Sequence, residues 1–472
     1  MKQQFKGQWL LLTIAVLLMQ GCGKNFLELK PNQQQKVPST IADYRAILDN
    51  ATGYINPMNN RSSHTLGIIG ADEYEIPPAV YGTFPVGLTF DYQKNAYGWN
   101  ERIYQGGEGG IVVPTDFDTG YQRILLANLV LEGLGNITPH LTETEEWNET
   151  RGAALFHRAW NYFCLLQLYA PVFNAATADS DLGVPLRLES DPTVKVLRES
   201  VEDCYELLIA DLRSAINLLP DKDIVKFRPT KQATWALLSR VYLQMDDYGK
   251  AAEYASNCIA VAGGLLDYNK VAAQPYPFPV YGMENPEVIF VMTAYDALAY
   301  TGEYLAVPND FYQHYENADL RKTLFFEQDR NSMIRYRGSY YGSSLLFTGL
   351  ALDEVYLTRA ESHARLGNLA EALSDLNKLL RNRYKKEAFV NLTTQNQDQL
   401  LGRILMERKK ELLLRGIRWE DLRRLNKNPK TATNLKRNIA GAEVELLANS
   451  PRYIWPFPEE AINVGGYPQN PR

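Results

Sequence analysis

Apolar residues recur at steps of three and four along much of the chain, the spacing that gathers them on one face of an α-helix. From Phe117 the stretch FDTGYQRILLANLVLEGL sets Ile124, Leu125, Asn128, Leu129 and Leu131 on such a stripe. A second periodic block, RGAALFHRAWNYFCLLQLYAPV at 151 to 172, runs to Pro171, which cannot continue a helix. A third, from Ser200 to Leu219, carries Val201, Tyr205, Leu208, Leu212, Ala215 and Leu219 and stops at Pro220. Asp211 and Arg213 fall off that stripe, so both are predicted to face water.

Two later segments share an internal pattern. In TWALLSRVYLQMDDYGKAAEYASNCIA, Trp235, Leu238, Ser239, Tyr242, Ala251, Ala255 and Cys258 fall at the spacing of a tetratricopeptide unit, a helical hairpin whose small residues let two antiparallel helices approach. In VYLTRAESHARLGNLAEALSDLN, Tyr356, Ala360, Ala372 and Leu376 occupy matching positions. A helix pair that merely obeys general packing rules would share some of these features. Two pairs on one spacing argue for a repeat.

Between and before the helical blocks lie 54 to 116 and 266 to 350, irregular and rich in Gly, Pro and aromatics. Loops of that length on a rigid scaffold usually carry function. Between Tyr74 and Tyr104 stand eight aromatics, Tyr74, Tyr81, Phe84, Phe90, Tyr92, Tyr97, Trp99 and Tyr104, about a quarter of the stretch against 11% for the whole chain. Either they form a satellite core beneath the loops or they offer a stacking surface.

The N-terminus changes the picture of where this body resides. Lys2 and Lys6 lead an apolar run from Trp9 to Met19, too short to span a bilayer but of the length of a secretory leader, followed by Gly21 and Cys22. A cysteine directly after such a run resembles a bacterial lipoprotein signal in which residues 1 to 21 are removed and Cys22 is acylated. The alternative is an ordinary leader with a chance cysteine. No later run reaches 18 consecutive apolar residues, so the rest reads as a soluble body held by lipid. The 472 residues carry 49 basic against 55 acidic side chains, and no basic stripe of the kind a nucleic-acid surface needs. Cys164, Cys204 and Cys258 each sit in a helical apolar pattern and read as buried small hydrophobes rather than a disulfide framework.

Several stretches resemble the SusD/RagB family of outer-membrane nutrient-uptake lipoproteins. They are NFLELKP (25 to 31), YQRILLANLVLE, RGAALFHRAWNYFCLLQLYAPVF, GVPL (183 to 186), RESVEDCYELLIADLRSAINLLP (198 to 220) and ATWALLSRVYLQ. The C-terminal half adds LDEVYLTRAESHARLG, with Ala360 and Glu361. It also carries ILMERKKELLLRGIRWEDLRR, where Glu407, Arg408, Glu411, Leu412, Gly416, Arg418, Asp421 and Leu422 match the family signature, and a closing Gln469, Asn470 and Pro471. The resemblance implies a mainly α fold: a tetratricopeptide-like scaffold of helical hairpins within 117 to 265 and 351 to 425. The irregular ligand-side regions are 54 to 116 and 266 to 350, the tail is 426 to 472, and all belong to one unit from 22 to 472. It further implies a lipid-anchored, outer-membrane lid over a SusC-like TonB-dependent barrel that captures glycans, or in some members peptides.

Sugar rings have apolar C–H faces and hydroxyl edges, which flat aromatic side chains and hydrogen-bonding side chains suit respectively. The segment NAYGWNE, 95 to 101, corresponds to a region lining the glycan site in family members. It makes Trp99 and Asn100 the first candidates, with Tyr97 beside them and Gly98 as a flexible point. Asp72 and Glu73 follow, then Tyr295, Tyr300 and Tyr304. On this reading Trp99→Ala erases oligosaccharide binding and leaves the melting temperature nearly unchanged. The signature charges read as structure: Arg408 and Glu411, three apart, are predicted to pair on one helix face. No nucleophile elbow, HExxH, cysteine-rich metal spacing or phosphate loop is present, and the five histidines show no ligand spacing. A binding protein without catalytic residues, metal or cofactor is therefore predicted. Peptide capture is the alternative to glycan capture.

Overall fold

The computed structural model describes residues 37–51, 57–105, 115–222 and 225–472. Cys22, the leader before it and the stretch 25 to 31 lie outside these. The body begins with α1 (Ile41–Leu48), continues through α2 (Thr65–Gly70), α3 (Pro78–Tyr81) and α4 (Leu88–Tyr97), and reaches the long pair α5 (Asp116–Gly135) and α6 (Thr144–Tyr169). The stretch expected to be irregular, 54 to 116, thus carries three helices among its described residues. The hairpin of β1 (Leu182–Pro185) and β2 (Arg198–Ser200) leads into α7 (Val201–Leu218), which packs on α6.

Local chemistry sets where these helices start. Thr115 Oγ1 accepts from the Asp118 amide while the Asp118 carboxylate accepts from the Thr115 amide, a reciprocal cap on α5. Ser200 and Thr230 cap the amides of Asp203 and Ala233 at the next two starts. The stripe of α7 is buried as expected, but Asp211 is not in water. It is 5% exposed and takes a two-pronged ion pair from Arg158 at 2.7 and 2.8 Å. Its off-stripe position faces α6 rather than solvent.

The two repeat units are helical hairpins: α8 (Lys231–Gln244) with α9 (Tyr248–Ala260), and, after the insertion, α12 (Leu352–Arg365) with α13 (Leu369–Arg381). Their three-residue turns are built alike. Asp246 and Gly367, the middle residues, both take left-handed backbone with φ of 59° and 82°. The amides of Asp247 and Asn368 reach back to the carbonyls of Tyr242 and His363 at 3.0 and 2.9 Å. Ala251, Ala255, Ala360, Ala372 and Leu376 are all fully buried where the helices meet. The second helix of the first hairpin packs on the first helix of the second, as in a solenoid.

Between the hairpins, residues 266 to 350 form short turns with α10 (Asn309–Tyr312), α11 (Arg321–Leu324), β3 (Val288–Phe290) and the hairpin β4 (Phe326–Gln328) and β5 (Ile334–Tyr336); β3 pairs with β6 (Leu350–Ala351). Aromatics of this insertion and of 74 to 104 join the main core as one continuous cluster rather than a satellite. A second cluster lies between α12, α13 and α14 (Gln397–Glu411). After α15 (Arg418–Leu425), β7 (Leu435–Ile439), β8 (Ala442–Leu446) and α16 (Glu459–Gly465) close the chain. Cys164, Cys204 and Cys258 are buried free thiols.

The signature helix α14 is tied into this body by buried ion pairs, with different partners from those its spacing suggests. Arg408 pairs with Asp421 at 2.7 Å, and Glu411 pairs with Arg321 and Arg383 at 2.9 and 2.7 Å. Glu407 also takes Arg321, at 2.6 Å, and Arg383 continues to Glu287 at 2.8 Å. These links run from scaffold to insertion and hold one against the other.

Candidate functional site

The insertion opens a cleft of about 600 Å³ between the turns at 298 to 304 and the β4–β5 hairpin. Three tyrosines line it, Tyr276, Tyr300 and Tyr336, of which the first and last are not fully buried. Tyr276 stands in the run QPYPFP between two prolines, at a bend of the chain, and is 41% exposed. Tyr336, at the end of β5, is half-buried with its ring against Phe325 and Phe326, at centroid distances of 6.1 and 6.5 Å. Asp296, Glu303, Asn331 and Ser344 line the same cleft, are exposed, and have no side-chain partner among the described residues.

Arg335 fixes the width of this cleft. Its guanidinium holds the Asp329 carboxylate at 2.8 and 2.7 Å and donates to the carbonyls of Glu303, at 3.2 Å, and Leu305. Asp329 in turn accepts the amides of Asn331 and Met333, which shapes the five-residue loop of the hairpin. The hairpin is thereby stapled to the Gly302 turn, where a φ of 53° suits glycine.

A second cleft, of about 340 Å³, brings together Asp72, Tyr97 and Trp99 with residues of β7. Its groups are already engaged. Asp72 takes Arg418 and Lys409, both at 2.7 Å; burial alone would raise its carboxyl, but these two cations outweigh burial and hold it well below the usual range. The Arg437 guanidinium lies 4.0 Å over the Tyr97 ring and 4.3 Å over that of Trp99, covering the faces a sugar would need.

Trp99 is 1% exposed, and its Nε1 donates to the Gly70 carbonyl at 2.9 Å. Left-handed backbone at Trp99 (φ of 53°), rather than flexibility at Gly98, turns this ring inward. A Trp99→Ala change therefore strikes the core, contrary to the expectation of an unchanged melting temperature. Tyr97 is buried with its hydroxyl accepting from the Ile76 amide at 2.9 Å. Glu73 is buried, accepts from the Leu414 amide at 3.0 Å, and is pushed up to about 8 by burial, an effect the Leu414 amide opposes. Asn100 is exposed but bonds Asn95 and lines neither cleft.

Of the three tyrosines singled out in the insertion, Tyr300 lines the larger cleft, although it is buried and its hydroxyl donates to the Tyr295 carbonyl. Tyr295 lies beneath the Arg61 guanidinium at 5.3 Å. Tyr304 packs edge-on to Phe84 at 4.9 Å and donates to the Thr83 carbonyl at 3.2 Å. Tyr276, Tyr336 and the unpartnered polar rim of this cleft are not among the residues singled out from the sequence. The proline-flanked Tyr276 was the available signal.

Carboxylate oxygens of Glu287, Asp353 and Glu411 gather within 4.8 Å of one another, the one such group among the described residues. Arg383 and Tyr340 take Glu287, Arg383 and Arg321 take Glu411, and Arg415 takes Asp353. These oxygens serve a buried ion-pair network.

The comparisons with known proteins agree with this architecture. Residues 25–243 match a family described as SusD-like, starch-binding and associating with the outer membrane, and residues 347–471 match the SusD family. SusD-like protein P2 of Formosa agariphila is 26% identical, over 68% of this chain and 73% of its own length. A SusD superfamily protein of Bacteroides thetaiotaomicron shares the fold with a TM-score of 0.70, at 22% identity, over 92% of this chain and all of that one. A SusD-like carbohydrate-binding protein of Bacteroides vulgatus does so at 0.66, with 18% identity, over 91% of this chain and 97% of that one. With two family matches that together span both helical halves, and a helical-hairpin scaffold shared almost end to end, the chain belongs to the SusD/RagB family of sugar-binding proteins.

Proposed function

We propose that this protein captures oligosaccharides in the cleft between the 298 to 304 turns and the β4–β5 hairpin and passes them to a SusC-like TonB-dependent barrel in the outer membrane. A lipid on Cys22 holds it there, facing the cell surface. The observation that carries the reading is the meeting of an exposed tyrosine, Tyr276, and a half-buried one, Tyr336, with a rim of unengaged Asp296, Glu303, Asn331 and Ser344 in one cleft. Tyrosine covers the C–H face of a sugar ring while carboxylate, amide and hydroxyl groups fix its hydroxyl edge. Open sites of this kind bind in the micromolar to millimolar range, about −8 to −4 kcal/mol, weak enough for release to a transporter. The binding step needs no cofactor, and no catalytic step is part of it.

Titration calorimetry with a panel of oligosaccharides, run beside peptides, tests the reading. Tyr276→Ala and Tyr336→Ala are each expected to weaken oligosaccharide binding by roughly tenfold or more, the scale of one lost aromatic contact. Tyr276→Ala should leave thermal stability nearly unchanged, since that ring packs little. Full affinity in both variants would refute the site, and binding of peptides alone would move the function to peptide capture. Purification from the native membrane should bring the barrel with the protein.

A further inference from the structure

The charges around the larger cleft are unbalanced. Asp296, Glu303, Glu327 and Asp329 face it against a single lining cation, Arg335. Arg335 is committed to Asp329 and to backbone carbonyls, and Glu327 takes Arg337 at 3.6 Å from outside the lining. Asp296 and Glu303 are left without a cation, on the same rim as the exposed Tyr276 face. A bound carboxylate or sulfate would meet these two charges with no unengaged cation among the described lining residues, and juxtaposed like charges oppose binding. An ammonium group would gain both the carboxylates and the negative face of a tyrosine ring.

Resting on the oligosaccharide reading above, we propose that this cleft selects by charge: it takes neutral and amino-bearing oligosaccharides and rejects those carrying uronate or sulfate groups. The asymmetry follows from cost. A neutral ligand needs only hydrogen bonds, which exposed carboxylates accept readily, whereas an anionic one must bring its own counterion into the cleft.

The test is a binding series on the full chain at low and at physiological salt. It uses neutral malto-, manno- and xylo-oligosaccharides, deacetylated chito-oligosaccharides, oligogalacturonides and sulfated carrageenan oligosaccharides. The best neutral or amino ligand should bind at least tenfold more tightly than any acidic one, and added salt should narrow that gap. In the Asp296→Asn, Glu303→Gln double variant, whose changes are exposed and isosteric, the ratio of acidic to neutral affinity should rise severalfold. An acidic oligosaccharide as the tightest ligand, or an unchanged ratio in the double variant, overturns the charge selection while leaving sugar capture intact. Absence of binding to every sugar overturns both.

Discussion

Adjacent carboxylates in this chain have opposite fates. Asp72 is held charged by Arg418 and Lys409, whereas Glu73, one residue on, is turned into the core with the Leu414 amide as its only hydrogen-bond partner among the described residues. Glu73 keeps its proton in the folded chain up to about pH 8, against 4.5 for an unperturbed glutamate. Within that window the folded state binds more protons than the unfolded one. The stability this group contributes is therefore complete below the lower value and falls as pH rises, by about 1.4 kcal/mol per unit for one fully coupled group. Glu73→Gln keeps an acceptor for Leu414 and removes the titration. It should flatten the decline of the urea midpoint between roughly pH 5 and 8, in part only, because Glu420, also raised to about 8 by burial, titrates over the same range. Identical slopes in the two proteins would show that Glu73 is ionised when folded. Residue identities along 72 to 99 were legible in the sequence, but not which side chains turned inward. Trp99, Tyr97 and Asp72 are occupied by Arg437, Lys409 and Arg418, more than 300 positions away along the chain.

The elements read from periodicity were those whose instructions are local. Both repeat hairpins repeat one turn, one set of back-bonds and one set of small residues, all within a few positions of each other. The β4–β5 hairpin has no such pattern, and its place depends on Arg335 gripping the Gly302 turn some thirty residues earlier. Arg335→Ala should free the hairpin from that turn. Amide exchange of residues 326 to 336 should rise, oligosaccharide affinity should fall by about tenfold, and the melting temperature of the helical body should shift by only a few degrees. Unchanged exchange in the hairpin would show that other contacts hold the cleft wall.

For the whole molecule, the buried ion pairs of Arg321 and Arg383 bind the insertion to α14, so scaffold and cleft act as one body. No helix among the described residues is long and apolar enough to cross a membrane. On the proposed acylation of Cys22, anchoring rests on its acyl chains, at about 0.8 kcal/mol per buried methylene. Cys22→Ala should abolish labelling by radioactive palmitate and release the protein from the membrane fraction. Retained label would place the lipid elsewhere.

By itself the sequence determined the helical class, the repeat hairpins, the thiols' burial and the family, because helix periodicity, turn chemistry and signature spacing are written in neighbouring residues. Only the tertiary structure decided which aromatics are walls and which are core. It also decided where Arg408 and Glu411 find their partners and which cleft keeps polar groups unengaged. Those outcomes depend on contacts such as Arg321 with Glu407 and Leu414 with Glu73, 86 and 341 residues apart, whose pairing no local pattern specifies.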